Sequence, residues 1–175
     1  MPFYYVQIAP HGNKNNQNLP YMREAQMKCE ALIPNSGMAV ILDSGEENCI
    51  HPASKRVVGN RLAYLALLND YGKKGLSAYS PVYKEKEIKD NKIILYFDRA
   101  EMGLTSFGKD LNNFEIAGND HVFYKAKAKI NGSKVVVWSE QVPEPLEVRY
   151  AFHNFVVGDL FGISGLPVSS FRTDK

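Results

Sequence analysis

The sequence changes its periodicity once, between residues 72 and 80, and this change limits the folds that the chain can adopt. Before it, two stretches carry apolar residues at three- and four-residue spacing, which is typical of amphipathic helices. After it, short β-rich or alternating segments follow one another and little helical periodicity remains. This change in pattern predicts an α/β domain at 1–75 and an all-β domain at 76–175.

The sequence of the first domain predicts a parallel β-α-β unit followed by a second helix. Phe3 to Ala9 is aromatic and β-branched, which indicates a buried strand. A polar, Asn-rich loop, Asn13–Asn18, separates it from a helix expected at Pro20 to Leu32. Met38 to Asp43 is apolar on both faces, as expected for a strand between two layers of helices. Pro52 is expected in the first turn of the second helix, which ends near Tyr71-Gly72.

Each predicted helix has a set of residues at helical spacing that is expected to face the core. In the first helix these residues are Met22, Ala25, Gln26, Cys29 and Leu32. In the second helix they are Val57, Val58, Leu62, Leu65, Ala66 and Leu68.

The sequence of the second domain predicts an antiparallel β-sandwich. Turn signals, among them Asn131-Gly132, separate short strand-like segments. These segments are Val82–Ile88, Lys92–Phe97, Val122–Ile130, Lys134–Trp138 and Glu147–Phe152. Five or more short strands of this kind are typical of a sandwich.

Composition excludes several classes of function. A formal net charge of +2 and the lack of a basic cluster argue against nucleic acid and membrane surfaces as partners. The longest apolar runs are far shorter than the about 20 residues that cross a bilayer. Two cysteines and four scattered histidines have no zinc-ligand spacing, so we expect no metal.

The loop from Leu42 to Lys55 is the predicted functional site. It follows a predicted strand and presents His51 just before the second helix. Loops at the carboxyl ends of strands are where catalytic side chains collect in α/β proteins. His51 is therefore the first candidate, and a merely exposed histidine at a helix start is the alternative.

The residues of this loop and of several other segments resemble the sialate O-acetylesterase family of SGNH/GDSL-type hydrolases. The matching segments are Tyr5–Pro10, Arg23–Gln26, Gly37–Val40, Gly45–Pro52, Lys55–Ala63, Phe114–Gly118, Val148–Ala151 and Gly165–Asp174. The resemblance covers essentially the whole chain, and it is to the C-terminal portion of that family. It implies a partial SGNH-type β-α-β unit followed by a β-sandwich.

The resemblance also implies an activity. The family removes acetyl groups from sugar hydroxyls, typically at the 9-position of sialic acid, with a serine nucleophile and a histidine base. His51 stands at the position of that base, and a histidine can take and return the serine proton at neutral pH. The implied substrate is O-acetylated sialic acid or another acetylated glycan, with no cofactor. Family members are often secreted or periplasmic.

The chain departs from the family at the nucleophile. The family carries its serine in a Gly-Gln-Ser-Asn block, and this chain contains no such block. We therefore expect little or no hydrolysis by this chain alone. Ser44 and Ser54 are local alternatives on the His51 loop, and Cys49 is expected to be a small packing residue rather than a nucleophile.

The orienting acid is a second departure. Such enzymes often carry Asp three residues before the histidine, and Asn48 occupies that position here. Asn48 can orient a neutral imidazole but cannot stabilise imidazolium by charge. Asp43, at the strand end, is the best-placed substitute, and a turn or capping carboxylate is its alternative role. Glu46, Glu47, a backbone carbonyl or no partner at all also stay open.

Other residues admit two interpretations each. Arg23 and Glu24 are expected on a helix surface, and a buried or interfacial ion pair is their alternative role. Trp138 could stack on a sugar ring or belong to the core. As a whole, residues 77–175 could be a non-catalytic glycan-binding or supporting module. An incomplete sheet in the first domain could also pair with a second copy to form a homodimer.

Overall fold

The computed structural model describes residues 1–12 and 18–174, in which the chain forms two helices and twelve strands. The helices are α1 (Leu19–Leu32) and α2 (Lys55–Asn69). The strands of the amino-terminal part are β1 (Phe3–Val6) and β2 (Ser36–Ala39). The remaining strands are β3 (Val82–Lys89), β4 (Lys92–Asp98), β5 (Leu104–Thr105), β6 (Phe114–Ala117), β7 (Tyr124–Lys125), β8 (Lys127–Asn131), β9 (Lys134–Trp138), β10 (Glu147–Tyr150), β11 (Phe161–Gly162) and β12 (Phe171–Arg172). The predicted Asn-rich loop lies, except for Asn18, outside the described residues.

The amino-terminal part contains a two-stranded parallel sheet. Phe3 of β1 lies opposite Ser36 of β2, and Val6 lies opposite Ala39. Helix α1 connects the two strands, and α2 packs against both of them. The parallel pairing of these strands agrees with the sequence prediction, and the assignment of the unit to an SGNH-type domain stays a prediction.

Both strands are shorter than predicted. The first ends at Val6 rather than Ala9, and the second spans Ser36–Ala39 rather than Met38–Asp43. The last ladder bond runs from the Gln7 amide to the Ala39 carbonyl at 3.0 Å. The next residues, Val40, Ile41 and Leu42, are at most 3% exposed, but they are buried outside the ladder. A continuous apolar run predicts burial and cannot by itself predict pairing.

The inward face of α1 differs from the prediction. Its buried residues are Leu19, Pro20 and Arg23, whereas Met22 is 51% exposed and Leu32 is 77% exposed. Cys29 is exposed as well. The helix meets backbone groups of strands and loops, which need polar partners, so its inward face carries polar as well as apolar residues.

Side chains from both helices bind backbone groups on the outer edges of the small sheet. Backbone groups of alternate β1 residues point to opposite sides of the strand. Those of Phe3, Tyr5 and Gln7 point toward β2, so the backbone groups of Val6 and Ile8 point away from it. The Gln26 side-chain amide accepts a hydrogen bond from the Ile8 N–H at 2.8 Å and donates one to the Val6 carbonyl at 3.4 Å. It thereby occupies the end of the β1 edge.

The outer edge of β2 is occupied in the same way. Glu30 accepts a bond from the Met38 amide at 2.9 Å, and Arg61 donates to the Val40 carbonyl at 2.8 Å. These caps satisfy groups that would otherwise offer a pairing edge to another chain. The predicted homodimer through this sheet stays a prediction.

Helix α2 begins at Lys55, three residues after Pro52, which is buried outside the helix. Of its expected inward residues only Leu65 is fully buried, and the others are partly exposed. The second buried residue is Arg61. As in α1, a polar side chain is buried here: Arg61 faces inward because it donates a hydrogen bond to the Val40 carbonyl, just after β2.

The carboxyl-terminal part is the predicted β-sandwich. One antiparallel sheet has the strand order β12-β10-β6-β7, and the other has the order β3-β4-β9-β8. Ile93 and Val137 of one sheet share a core with Ile116 and Val148 of the other, each 0% exposed. The strands that the sequence did not predict are β5, β6, β11 and β12, which are two to four residues long and too short to show alternation.

One hydrophobic core joins the two parts of the chain. Met38, Val40 and Leu42, at the end of the small sheet, belong to the same buried cluster as the sandwich residues. The Gly158 amide donates to the Leu42 carbonyl at 3.0 Å, and the Gln7 side chain donates to the Ser169 hydroxyl at 2.8 Å. The predicted domain boundary near residue 75 stays a prediction, and these contacts cross it.

Candidate active site

The His51 loop starts from a strand end that is held by a fork of charged hydrogen bonds. Arg61, 7% exposed, donates from Nη1 to Asp43 Oδ1 at 2.6 Å and from Nη2 to Oδ2 at 2.7 Å. Two parallel bonds of this kind fix both partners in orientation as well as distance. Asp43 thus compensates a buried guanidinium at the entrance to the loop.

The middle of the loop docks against the turn that follows β1. The Gly12 amide donates to the Glu47 carbonyl at 2.8 Å. At Gly45 the two backbones approach so closely that a Cβ would lie 2.4 Å from the Pro10 carbonyl oxygen. A side chain does not fit there, so glycine is required for this contact.

The far side of the loop is closed by Glu46. Its Oε1 accepts a bond from the Ala53 amide at 2.6 Å, across the segment that carries His51. The Cys49 thiol donates to the His51 carbonyl at 3.3 Å. Cys49 is a free, exposed cysteine rather than a packed one. These bonds hold the backbone on both sides of the histidine.

The His51 side chain is exposed, and in the described part of the chain its ring makes no hydrogen bond. Asn48 is exposed on the same loop and does not bond to that ring. The Asp43 carboxylate is engaged by Arg61. The structure therefore brings the three predicted site residues onto one loop, but it does not join either candidate partner to the imidazole. Their catalytic roles stay predictions.

The two serine alternatives also lie on this loop. Ser44 is partly buried in the turn after Leu42, where its amide donates to the Ile41 carbonyl at 3.0 Å. Ser54 is exposed at the N-cap position of α2, and its hydroxyl makes no capping bond. Neither is hydrogen-bonded to His51 within the described residues, so neither forms a nucleophile–base pair.

Arg23 is the main supporting residue whose burial the sequence does not indicate. It is 0% exposed rather than on the surface, and burial lowers its pKa to about 10. In the described part of the chain its partners are uncharged: the Ser170 hydroxyl at 3.0 Å and the carbonyls of Ala151, His153 and Asn154. The expected ion pair belongs instead to Glu24, which binds Lys28 and Arg172.

Arg23 connects to the His51 loop through the segment 151–154. The Asn154 carbonyl, which Arg23 binds, also accepts the His11 amide at 3.1 Å. His11 precedes Gly12, which binds the loop at Glu47. The His11 Nδ1 atom is buried without a hydrogen-bond partner in the described part of the chain. In the sequence, Pro10-His11-Gly12 is a turn signal after a strand-like segment, and it indicates no role for His11.

A second histidine of this region forms an ion pair. His153 Nε2 lies 3.2 Å from Glu115 Oε2. The hydrogen bond to Glu115 raises the pKa of His153, and the same bond lowers the pKa of Glu115. Both groups are charged, and the pair is favourable, between their two pKa values.

Among the described residues, no group of three or more histidine, cysteine or acidic side chains is arranged to hold a metal ion. In the same residues, neither helix has the length and apolar character needed to cross a bilayer.

Comparisons with known proteins agree with part of the sequence resemblance. No protein-family model and no curated protein matches the chain. Among solved structures, it is similar to a carbohydrate acetylesterase from Xanthomonas citri, with 38% sequence identity and a TM-score of 0.91. The match covers 99% of this chain and 41% of that one, so the chain spans about two fifths of the enzyme's length.

Replacing Gly45 with alanine is expected to destabilise the protein. The new Cβ would overlap the Pro10 carbonyl, and the loop would have to move away, at about 1–3 kcal/mol of unfolding free energy. Gly59→Ala is the matched control, because no atom lies within 4 Å of its Cβ position in α2. That change is expected to stabilise the protein by about 0.5–1 kcal/mol. Urea unfolding measures both, and equal effects would contradict the close contact at Gly45.

The pKa of His153 is expected to lie above its ordinary value of 6.5 because of Glu115. The raised value means that its stabilising effect is present below pH 6.5 and is lost as pH rises through the folded pKa. The lowered value of Glu115 means that its effect is present above pH 4.5 and is lost as pH falls through its folded pKa. Both effects are therefore present between about pH 4.5 and 6.5.

NMR titration of the His153 ring protons measures this shift. Glu115→Gln is expected to lower the pKa of His153. Glu147→Gln is the control, because Glu147 hydrogen-bonds His121 at 3.0 Å and raises the pKa of that ring. The pairing would be refuted if Glu115→Gln left the pKa of His153 unchanged, or if Glu147→Gln altered it.

Proposed function

We propose that this chain is the histidine-bearing part of a serine esterase that removes O-acetyl groups from carbohydrate, with 9-O-acetylated sialic acid as its substrate. The observation that carries the proposal is the likeness of 99% of the chain, at 38% identity, to part of a carbohydrate acetylesterase. The family resemblance of the His51 loop supports the choice of base, and sialic acid rests on that resemblance alone. A secreted or periplasmic location is proposed on the same basis.

In the proposed mechanism His51 is the general base. It takes the proton of a serine hydroxyl while the serine oxygen attacks the acetyl carbonyl carbon. The imidazolium then gives that proton to the sugar oxygen as the C–O bond to the sugar breaks. Water, activated by the same ring, hydrolyses the acetyl-serine. An exposed imidazole with no hydrogen bond in the described part of the chain is free to accept such a proton.

The serine is proposed to come from outside this sequence, which contains no Gly-Gln-Ser-Asn block. The imidazolium needs a partner that the present geometry does not supply. Asp43 would have to divide its carboxylate between Arg61 and His51, whereas Asn48 could orient the ring only through an uncharged bond. We propose that the Asp43–Arg61 fork chiefly positions the loop.

The 175-residue chain by itself is expected to release acetate from 9-O-acetylated sialic acid no faster than buffer does. A chain extended at its amino end by a segment with the Gly-Gln-Ser-Asn block is expected to release it enzymatically. In that longer chain, His51→Ala should lower kcat by about 10³-fold or more, because the base is lost. Acetate release measured with a coupled assay compares the variants.

His121→Ala in the longer chain is the matched control, because it removes another exposed histidine and should leave kcat unchanged. Full activity of His51→Ala would refute the role of His51. Enzymatic hydrolysis by the 175-residue chain would refute the missing nucleophile, and Ser44→Ala and Ser54→Ala would then identify which local serine acts.

A further inference from the structure

The sheet β3-β4-β9-β8 has a buried face and a solvent face, and an apolar strip crosses the middle of the solvent face between charged residues. Along β4 and β9, Ile93, Leu95, Val135 and Val137 are 0% exposed and face the core. The residues that alternate with them point outward and are partly exposed. They are Ile94, Tyr96, Val136 and Trp138. A solvated face of an antiparallel sheet normally carries polar residues, so a continuous apolar strip indicates a contact surface.

The strand register places lysines around this strip. Lys127 lies opposite Trp138, Lys129 opposite Val136, and Lys134 opposite Tyr96. Lys92 Nζ lies 5.5 Å from the centre of the Trp138 ring, and Lys134 Nζ lies 4.6 Å from that of Tyr96. The aromatic rings and the cations therefore form one surface, which we call the lysine–tryptophan face.

Part of this positive charge is not compensated. Lys127 pairs with Glu140 at 2.7 Å, whereas Lys89, Lys92 and Lys129 take part in no ion pair within the described residues. A shallow depression of about 230 Å³ is lined by Lys89, Asp90, Asn91, Lys92, Ile94 and Val136. An anion in this depression would meet two ammonium groups and one carboxylate beside an apolar floor.

We propose that the lysine–tryptophan face binds an anionic polysaccharide. A sugar ring would lie on Trp138 and the adjacent Ile94–Val136 strip, because the C–H face of a sugar is apolar. Its carboxylates would pair with Lys89, Lys92 and Lys129.

The same face argues against nucleic acid as the occupant. Glu85 and Glu87 are exposed on β3, with Glu87 accepting the Tyr96 hydroxyl at 2.6 Å. Such carboxylates repel any polyanion, but a polysaccharide also carries ring hydroxyls that donate hydrogen bonds to them, whereas a DNA backbone carries none. The net charge of +2 is also low for a nucleic-acid partner. A second glycan contact suits a chain that is similar to part of a carbohydrate acetylesterase.

Binding of the 175-residue protein to polygalacturonic acid tests the proposal. Affinity electrophoresis in gels containing this polymer should show retardation at low salt that is lost at about 0.5 M salt, where charge pairs are screened. Trp138→Ala and the double variant Lys92→Gln/Lys129→Gln should each weaken binding at least tenfold. Lys73→Gln/Lys109→Gln removes the same charge from exposed lysines elsewhere and should bind as the parent protein does.

The proposal is overturned if the parent protein does not bind polygalacturonic acid, or if neutral dextran binds equally well. Tighter binding to a single-stranded oligonucleotide would also overturn it. Trp138→Ala removes a large ring, so its far-UV spectrum is checked against that of the parent protein. The variant Lys92→Gln/Lys129→Gln tests the site without this complication, because both side chains point outward and are not part of the core. Unchanged binding by that variant refutes the site.

Discussion

The buried guanidinium of Arg23 is the interaction on which the arrangement of this chain most depends. A charged group that is 0% exposed is costly to desolvate, and here no carboxylate in the described residues offsets the cost. Instead, one hydroxyl and three main-chain carbonyls from residues 151–154 and 170 surround it. These partners lie at least 128 positions away, so we expect helix α1 and the end of the β-sandwich to unfold together.

The position of the His51 loop follows from this arrangement. The segment 151–154 binds the His11 amide, and the adjoining Gly12 binds the loop at Glu47. From the other side, Arg61 holds Asp43 and the Val40 carbonyl. The loop thus rests on contacts from a turn, a helix and the distant sandwich. A proposed catalytic group on a loop can keep its place only when its backbone is held in this way.

Much of the sandwich could be predicted from sequence, because alternation over five to eight residues is a direct signal of a half-buried strand. Strand β9 has the predicted bounds, and β3 and β4 differ from prediction by one residue. The inward face of α1 could not be predicted from hydrophobic spacing. Gln26 was expected inward, but Arg23 and Glu30 face inward because they bond backbone groups, and the spacing of apolar residues does not reveal such partners.

The catalytic roles at the candidate site stay predictions. The sequence indicated which residues share the His51 loop, and the structure shows which of them already have partners. The engagement of Asp43 by Arg61 was not foreseen, since the two residues are 18 positions apart and meet only when α2 packs on the sheet. Sequence spacing gives the candidates for a partner of His51, but the three-dimensional packing decides which carboxylate is already occupied.

The most direct test of this account is whether the two parts of the chain unfold together. Trp138, the one tryptophan of the sequence, reports on the sandwich by fluorescence, whereas circular dichroism at the helical band reports on α1 and α2. In a urea titration the two signals should change at the same midpoint in the parent protein, and Arg23→Met should lower both midpoints together. Separate midpoints in the parent protein, or an Arg23→Met variant as stable as the parent, would contradict the account.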